Sequence, residues 1–343
     1  MLIGIWNYHE ILHKNNFLLS KENINCLGED VLQSFYEFYL ELKSLNHEVE
    51  ILNDDTSYRK YDLFIFFNYP NSKKKYVLEA LESSKKKYLF NLECPTIYPE
   101  TWNNNNYEKF DKVFTWNDLL IDNIKFIKIN TPSYSKKRIE DLQSNTKSKF
   151  SIIVGSNKAT DHINDLYYKR LEIIKWYEEN NIGDLDFYGY GWSNYIFRGP
   201  RIIRALNKIS FLTRILAPKY KNYKGAFNGR KVDLLKDYKF CFCVENAKGY
   251  PGYITEKIFH CFFSLTVPIY LGCPNILDYI PSDCFIDMRK FKTIKEVHFF
   301  LKNFKEEEYE KYQISILKFL KSSKFIPFSN EYYIKTLRQH MLI

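Results

Sequence analysis

The sequence predicts an α/β protein with two domains, each built on a parallel sheet. Apolar strand-like runs alternate with segments whose apolar residues recur at helical spacing, an order typical of parallel sheets covered by helices. A polar stretch interrupts this alternation once, after which it begins again. The chain has 343 residues, of which 45% are hydrophobic, so it can bury a core in each of two domains.

The first half supplies the elements of an N-terminal domain, predicted over residues 1–132. Its strand-like runs are LIGIW, HEVEIL, DLFIFFNYP, KKYLFNLE and DKVFTWN. Two segments between them have helical spacing, EDVLQSFYEFYLELKSLN and KKKYVLEALESS. The stretch that follows, residues 133–149, is thin in large apolar side chains and is predicted to be the linker.

The alternation restarts at residue 150 and predicts a C-terminal domain over residues 150–325, followed by a last helix within 326–343. The strand-like runs here are FSIIVGSN, DLDFYGYGW, YKFCFCVEN and TVPIYLG. The helix-like segments are DLYYKRLEIIKWYEEN and TEKIFHCFFSL. Ligands of open α/β sheets bind beyond the carboxyl ends of the strands, which is where we expect functional residues.

Composition and charge indicate the cellular location of the protein and the kinds of partner it binds. The chain has no run of about 18 apolar residues, and its N-terminus lacks the order of a signal peptide, so we expect a cytoplasmic protein. Seven cysteines without a CxxC pair predict reduced core thiols. The net charge of +9 favours anionic partners but does not choose between nucleotides, membranes and nucleic acid.

Positive charge is concentrated in residues 198–231, which contain ten Lys or Arg and no acid. Within this basic segment, RIIRALNKISFLTRIL spaces its apolar residues at roughly helical intervals between the charges. Two interpretations remain open. The segment forms a helix on a membrane surface, or it forms a solvated helix that covers a cleft.

Two short patterns are weak evidence for a metal site. HEILH at His9–His13 fits a zinc motif but has no third ligand nearby, and Asp184 and Asp186 form a DxD that opens a predicted strand. The chain contains neither GxGxxG nor a P-loop. Dehydrogenase and kinase functions therefore lose their main support, and we expect no metal site.

The stretch VENAKGYPGYITEKIF, residues 244–259, contains the residues best suited to bind a ligand. Thr255 is a good N-cap for a helix beginning at Glu256. Lys257 then lies in the first turn, where the helix dipole disfavours a cation unless an anion such as phosphate binds there. A surface Glu–Lys pair is the plain alternative, while Glu245 is suited to orient its neighbours.

The region from YKFCFCVEN to FIDMRKF resembles the C-terminal donor-binding region of the α-1,3/4-fucosyltransferases, glycosyltransferase family 10. The shared pattern is an F-E-N-like triplet, a glycine-containing loop, Y-x-T-E-K, an apolar helix, VP-x-x-x-G and an S-F-I-D-like segment. Valine replaces phenylalanine in the triplet, Val244–Glu245–Asn246, and the loop KGYPG has an extra proline. Weaker similarity covers IIVGSN to FYGYGW and the local pattern YLFNLECP.

This resemblance implies a GT-B fold, in which two Rossmann-like domains face each other across a cleft, with the acceptor on the N-terminal side and the nucleotide sugar on the C-terminal side. It also implies inverting transfer of L-fucose from GDP-fucose to a sugar hydroxyl, O3 of N-acetylglucosamine or of a similar sugar. The last helix is expected to return to the first domain. The implied catalytic base is Glu93, and the implied donor-binding residues are Arg170, Asn246, Tyr253, Glu256 and Lys257.

Further expectations follow from the implied activity. Arg170 and Lys257 would neutralise the leaving diphosphate, so no cofactor is required, although a divalent metal could stimulate the reaction. The acceptor is expected to be an oligosaccharide or glycolipid, such as a lipopolysaccharide O-chain. Such an acceptor is compatible with peripheral binding of the protein to the inner face of the membrane through residues 198–231. No nucleic-acid partner is expected.

Two other functions compete with this interpretation. A transferase of the same fold with another nucleotide sugar would share the phosphate and ribose contacts, and fucose recognition depends on side chains that the sequence does not place. A non-catalytic protein that binds nucleic acid or membranes through the basic segment would belong to a different class. Measurements of donor specificity and of the salt dependence of binding distinguish these two functions from fucosyl transfer.

Overall fold

The computed structural model describes residues 1–9, 19, 33–53, 57–133, 139, 142 and 147–341. The chain forms two compact units. The N-terminal unit comprises residues 1–135, 251–253 and 326–343, and the C-terminal unit comprises residues 136–250 and 254–325. Most of the predicted linker, residues 133–149, lies outside the described residues.

The N-terminal unit contains a six-stranded sheet in the order β2-β1-β3-β4-β5-β6, in which every neighbouring pair is parallel. Its strands are β1 Leu2–Asn7, β2 Glu48–Ile51, β3 Leu63–Phe67, β4 Lys86–Asn91, β5 Lys112–Thr115 and β6 Phe126–Lys128. The central strand β3 is fully buried because both of its faces carry apolar side chains. Five strands were predicted, and the short strand β6 was not.

The C-terminal unit contains a five-stranded sheet in the order β11-β10-β9-β7-β8, again with parallel neighbours throughout. Its strands are β7 Lys149–Val154, β8 Leu185–Tyr188, β9 Tyr238–Val244, β10 Val267–Leu271 and β11 Ile286–Asp287. The first four correspond to predicted strand-like runs, and β11 falls in the S-F-I-D-like segment of the family pattern. The predicted α/β class with two parallel sheets is therefore confirmed.

Helices cover the sheets. In the N-terminal unit they are α1 Gln33–Ser44, α2 Lys75–Glu82, α3 Asn104–Tyr107 and α11 Asn330–Met341. In the C-terminal unit they are α4 Tyr167–Asn180, α5 Arg201–Ala205, α6 Ser210–Ile215, α7 Lys231–Leu235, α8 Glu256–Phe263, α9 Ile294–Lys302 and α10 Glu306–Leu320. Helix α11 packs in the N-terminal core through Tyr333, Leu337 and Met341, which places the last helix in the unit to which it was expected to return.

The stretch RIIRALNKISFLTRIL, residues 201–216, forms two short helices instead of one continuous helix. A 3-10 turn, Leu206–Lys208, separates α5 from α6. Within the described part of the chain, no helix combines the length and the apolar character needed to cross a bilayer.

The cysteines behave as predicted wherever the structure describes them. Cys94, Cys241, Cys243, Cys261, Cys273 and Cys284 are all free and buried. Burial raises the pKa of the Cys94, Cys243 and Cys261 thiols, so these groups stay protonated at neutral pH. Cys26 lies outside the described residues.

Candidate functional site

The centre of the candidate site is a buried carboxylate that holds the start of helix α8. Glu245 directly follows β9 and is fully buried. One of its oxygens accepts the backbone N–H of Thr255 at 2.9 Å, and the other accepts the Thr255 hydroxyl at 2.7 Å. Gly272, at the end of β10, leaves room for this carboxylate, because a Cβ there would lie 2.4 Å from Glu245 Cγ. Glu245 therefore orients its neighbours, as its position in the triplet suggested.

Thr255 stands at the N-cap of α8, as predicted, but its side chain makes no capping hydrogen bond. Its hydroxyl donates to Glu245 instead. The first N–H groups of α8 consequently lack a side-chain cap from this residue. An uncapped helix N-terminus carries partial positive charge and is suited to bind an anion.

Lys257 lies in the first turn of α8 beside two carboxylates. Its ammonium is 3.2 Å from Glu245 and 3.7 Å from Glu256, and it donates to the Thr255 hydroxyl at 2.9 Å. Burial disfavours the charged form, but the negative charges of Glu245 and Glu256 outweigh it and raise the pKa of Lys257 above its usual value. Because the side chain is still 23% exposed, this fixed cation remains accessible to a ligand.

Glu256 is ionised for the corresponding reason. Burial alone would raise its pKa, but the positive charges of Lys257 and Lys231 prevail and hold that pKa well below its ordinary value. Its side chain is 28% exposed, so the carboxylate can accept hydrogen bonds from a bound ligand. His260, one turn later, is buried and has its pKa lowered to about 3 by burial and by Lys231, so it is neutral.

Arg170 lies on α4 and reaches the carboxyl end of β9. Its guanidinium donates to the Val244 carbonyl, with Nη2 at 2.7 Å and Nε at 3.2 Å, and Nη2 also donates to Asn246 Oδ1 at 2.9 Å. The side chain is 4% exposed, and no carboxylate among the described residues pairs with it. Its positive charge lowers the pKa of Lys257, which shows that the two cations share one electrostatic environment.

The sequence analysis did not single out a third cation at this edge of the sheet. Arg198 donates from Nη2 to Asn157 Oδ1 at 3.1 Å, and Asn157 follows β7 by three residues. Burial lowers the pKa of Arg198 from its usual value, yet the group stays charged. The only available signal was the end of the strand-like run FSIIVGSN, and nothing in the sequence connected that end to Arg198.

Tyr253 belongs to the N-terminal unit, together with Pro251 and Gly252. Its ring packs against Trp116 with the centroids 4.7 Å apart, and it is 3% exposed. It also hydrogen-bonds Cys94. The structure therefore groups Arg170, Asn246, Glu256 and Lys257 in one unit and Tyr253 with the other.

Glu93 lies two residues beyond the carboxyl end of β4 in the N-terminal sheet. Asn68, at the end of β3, accepts the Glu93 N–H at 3.1 Å, and Trp102 Nε1 donates to the Glu93 carbonyl at 3.0 Å. Tyr8, just after β1, donates its hydroxyl to Glu93 Oε1 at 2.8 Å. Glu93 is thus partly exposed, with its backbone held by Asn68 and Trp102 and its carboxylate bonded by Tyr8.

The DxD pattern lies at the start of a strand. Asp184 pairs with Lys302 at 2.8 Å, and Asp186 accepts the Tyr238 hydroxyl at 2.7 Å, so the DxD marks the start of β8, as predicted. Among the described residues, no cluster of three His, Cys, Asp or Glu side chains could hold a metal ion. In HEILH only His9 is described, and the rest of that motif lies outside the described residues.

Comparison with known proteins supports the family resemblance. Residues 203–316 match the model of the glycosyltransferase family 10 (fucosyltransferase) C-terminal domain. An α-(1,3)-fucosyltransferase of Helicobacter pylori is 37% identical over 98 residues, which are 29% of this chain and 20% of that protein. The matched stretch therefore spans about a fifth of that relative's length. The family match covers Asn246, Glu256 and Lys257, but neither Arg170 nor Glu93.

Solved structures extend the likeness to the whole fold. A crystal structure of an α1,3-fucosyltransferase with GDP is 16% identical and has a TM-score of 0.54, covering 99% of this chain and 89% of its own. An α-glucosyltransferase in complex with UDP and mismatched DNA is 9% identical and has a TM-score of 0.58, covering 100% of this chain and 99% of its own. The predicted GT-B type fold and the resemblance to family 10 are confirmed.

Proposed function

We propose that this protein is an inverting glycosyltransferase that moves L-fucose from GDP-fucose to a hydroxyl of a surface glycan. The single observation that carries this proposal is the position of Lys257. Its ammonium is fixed in the first turn of α8 by Glu245 and Thr255, where a helix N-terminus without a side-chain cap favours an anion. This arrangement lies inside the stretch that matches the family 10 domain.

The proposed reaction is a single displacement. The acceptor oxygen forms a bond to the anomeric carbon of fucose as the bond to the GDP oxygen breaks, and the hydroxyl proton goes to the Glu93 carboxylate. Negative charge then grows on the diphosphate. Lys257 and Arg170 neutralise this charge, together with the N–H groups at the start of α8, and preorganised charges of this kind are commonly the largest contribution to catalysis.

The other predicted residues position the donor. Glu256 is ionised and partly exposed, and in the proposal it accepts hydrogen bonds from the ribose hydroxyls. Asn246, held by Arg170 at 2.9 Å, contacts the donor in the proposal, and the assignment of Tyr253 to the donor stays a prediction of the family resemblance. Because protein cations neutralise the diphosphate in this proposal, we expect activity to persist in a chelator, with a divalent metal acting only as a stimulant.

The acceptor belongs to the same proposal. We expect an oligosaccharide or glycolipid acceptor such as a lipopolysaccharide O-chain, modified on O3 of N-acetylglucosamine or a similar sugar at the cytoplasmic face of the membrane. No nucleic-acid partner is expected.

Donor competition tests the proposal directly. The protein is incubated with an N-acetylglucosamine-containing acceptor and, separately, with GDP-fucose, GDP-mannose, UDP-glucose and UDP-galactose. We expect product only, or at least a hundredfold faster, with GDP-fucose, and NMR of the product should show an anomeric configuration opposite to that of the donor. Faster transfer from another donor would show that the protein transfers that sugar and not fucose. Retained configuration would refute the single displacement.

A further inference from the structure

The two short helices of the basic segment present large apolar side chains to solvent. We call residues 201–216 the basic apolar surface; it comprises α5, the 3-10 turn Leu206–Lys208 and α6. Six apolar side chains in it are exposed: Ile202 at 86%, Phe211 at 73%, Ile215 at 63%, Ile209 at 48%, Leu216 at 46% and Ile203 at 43%. Single exposed apolar residues are ordinary in proteins, but six within sixteen residues call for a partner.

This exposure is fixed by the way the segment is attached. The Asn207 side chain bonds the backbone of Phe197 in both directions, at 2.8 and 3.0 Å. The Thr213 carbonyl accepts the N–H of Tyr195 at 2.8 Å, and Arg204 pairs with Asp161. Since these contacts, together with the burial of Thr213, hold the inner face against the protein, the apolar side chains are directed outward.

Positive charge accompanies the apolar side chains. Arg201, Lys208 and Arg214 are exposed, and no carboxylate in the described part of the chain pairs with any of them. Arg204 differs, because Asp161 neutralises it. The stretch from 198 to 231 contains no acid at all. The surface is therefore both apolar and strongly cationic.

We propose that the basic apolar surface docks this protein onto an anionic membrane. Aliphatic and aromatic side chains interleaved with cations match the boundary between acyl chains and negatively charged headgroups. Each Lys or Arg near such a surface strengthens binding by roughly fivefold. A second copy of the chain presents the same positive charge, and nucleic acid offers no apolar layer for the six exposed side chains. The proposal uses residues other than those assigned to the donor and does not depend on the proposed function.

Vesicle sedimentation tests this proposal with the full chain and without any donor. Vesicles of phosphatidylcholine alone are compared with vesicles that also contain phosphatidylglycerol. We expect the wild type to sediment with the anionic vesicles and at least tenfold less with the neutral ones. Raising the salt concentration should weaken this binding but not abolish it, because the apolar contribution is not screened.

Two triple variants separate the apolar and ionic contributions. Ile202→Ser/Phe211→Ser/Ile215→Ser should lose most of the binding at any salt concentration. Arg201→Gln/Lys208→Gln/Arg214→Gln should lose about a hundredfold at low salt, since three charges each contribute roughly fivefold. Both variants should keep the wild-type unfolding midpoint, because the altered side chains are exposed.

Matched controls alter exposed residues elsewhere. Leu119, Ile124 and Ile182 are 77%, 78% and 55% exposed, and their replacement by Ser should leave vesicle binding unchanged. Lys311→Gln/Lys318→Gln/Lys321→Gln removes three positive charges from the region of α10, and it should also leave vesicle binding unchanged. Equal losses in controls and test variants, or no binding to anionic vesicles, would overturn the proposal. Salt-sensitive binding to duplex DNA without vesicle binding would also overturn it.

Discussion

The two units differ in how their candidate residues are distributed along the chain. In the C-terminal unit, Asn246, Glu256 and Lys257 lie within one continuous stretch that matches a known family domain. In the N-terminal unit, Glu93 lies outside that match, and its immediate partners, Tyr8 and Asn68, come from separate strand ends. Candidate residues that lie in one short stretch form a motif that the sequence shows directly, whereas a site assembled from several strand ends leaves little trace in the sequence.

The largest expected effect tests the N-terminal side of this comparison. Glu93→Gln keeps the shape of the side chain but removes the proposed base, and loss of general base catalysis costs roughly 10² to 10⁴ in rate. We expect kcat to fall by that factor while the affinity for GDP is unchanged. Steady-state kinetics and GDP titration measure the two quantities.

Glu100→Gln is the matched control for this experiment, because Glu100 is exposed in the same unit. It should keep wild-type kcat. If Glu93→Gln were equally active, the N-terminal assignment would be wrong while the donor-site assignment would stand, so the two units can be judged separately.

The next effect tests whether Lys257 and Glu245 form one structural pair. Lys257→Met leaves the fully buried Glu245 carboxylate without its cation, and breaking a buried ion pair in this way costs about 3–5 kcal/mol. We expect the free energy of unfolding, measured in urea, to fall by that amount, and GDP affinity to be lost as well.

The double variant Lys257→Met/Glu245→Gln removes both charges and should recover most of that stability without recovering GDP binding. This result would separate the structural role of the pair from its role toward the ligand. Wild-type stability in Lys257→Met alone would show that the pair does not hold the start of α8.

A smaller effect concerns the ribose. Glu256→Gln replaces a charge-assisted hydrogen bond, a contribution of about 1.5–3 kcal/mol, so GDP affinity should fall roughly tenfold or more. The wild type should prefer GDP over deoxy-GDP, and the variant should lose this preference. Glu172→Gln, on α4 and 40% exposed, should behave as the wild type, and a preference retained in Glu256→Gln would remove Glu256 from the ribose site.

The smallest effect is a pH dependence of stability. The pKa of Glu256 in the folded chain lies below its ordinary value of 4.5, so its ionised form stabilises the fold above that value and this contribution is lost as the pH falls further. Lys257 has a pKa above 10.5, and its contribution is lost only as the pH rises beyond that value. We expect the difference in unfolding free energy between wild type and Glu256→Gln to be constant from about pH 6 to 9 and to shrink below about pH 4.5. A difference that changes near neutral pH would contradict the ion-pair assignment.

The sequence predicted most of the sheet strands because each is a buried, apolar, parallel strand bounded by polar residues. It missed β6, whose three residues are too few to show a pattern. The start of α8 was predictable from Thr255, since helix N-termini have local rules. Helices α9 and α10 were not predicted individually.

The contacts within the site were less predictable than its residues. The sequence suggested an orienting role for Glu245, but not that Thr255 would donate its hydroxyl to this carboxylate instead of capping the helix. Arg198 meets Asn157 across 41 positions, and Tyr8 meets Glu93 across 85. Pairings of this kind depend on the order of strands in the sheet, which a single sequence does not specify.

The most direct test of the central claim is a thermal-shift panel of nucleoside diphosphates. A ligand that binds only the folded state at a hundred times its Kd adds about 2.7 kcal/mol of stability. We predict that GDP raises the melting temperature of the wild type more than UDP, CDP or ADP does, and that this shift disappears in Lys257→Met/Glu245→Gln. Equal shifts with all four nucleotides, or a GDP shift that survives in the double variant, would contradict the claim that Lys257 and the start of α8 hold the diphosphate of a GDP-linked donor.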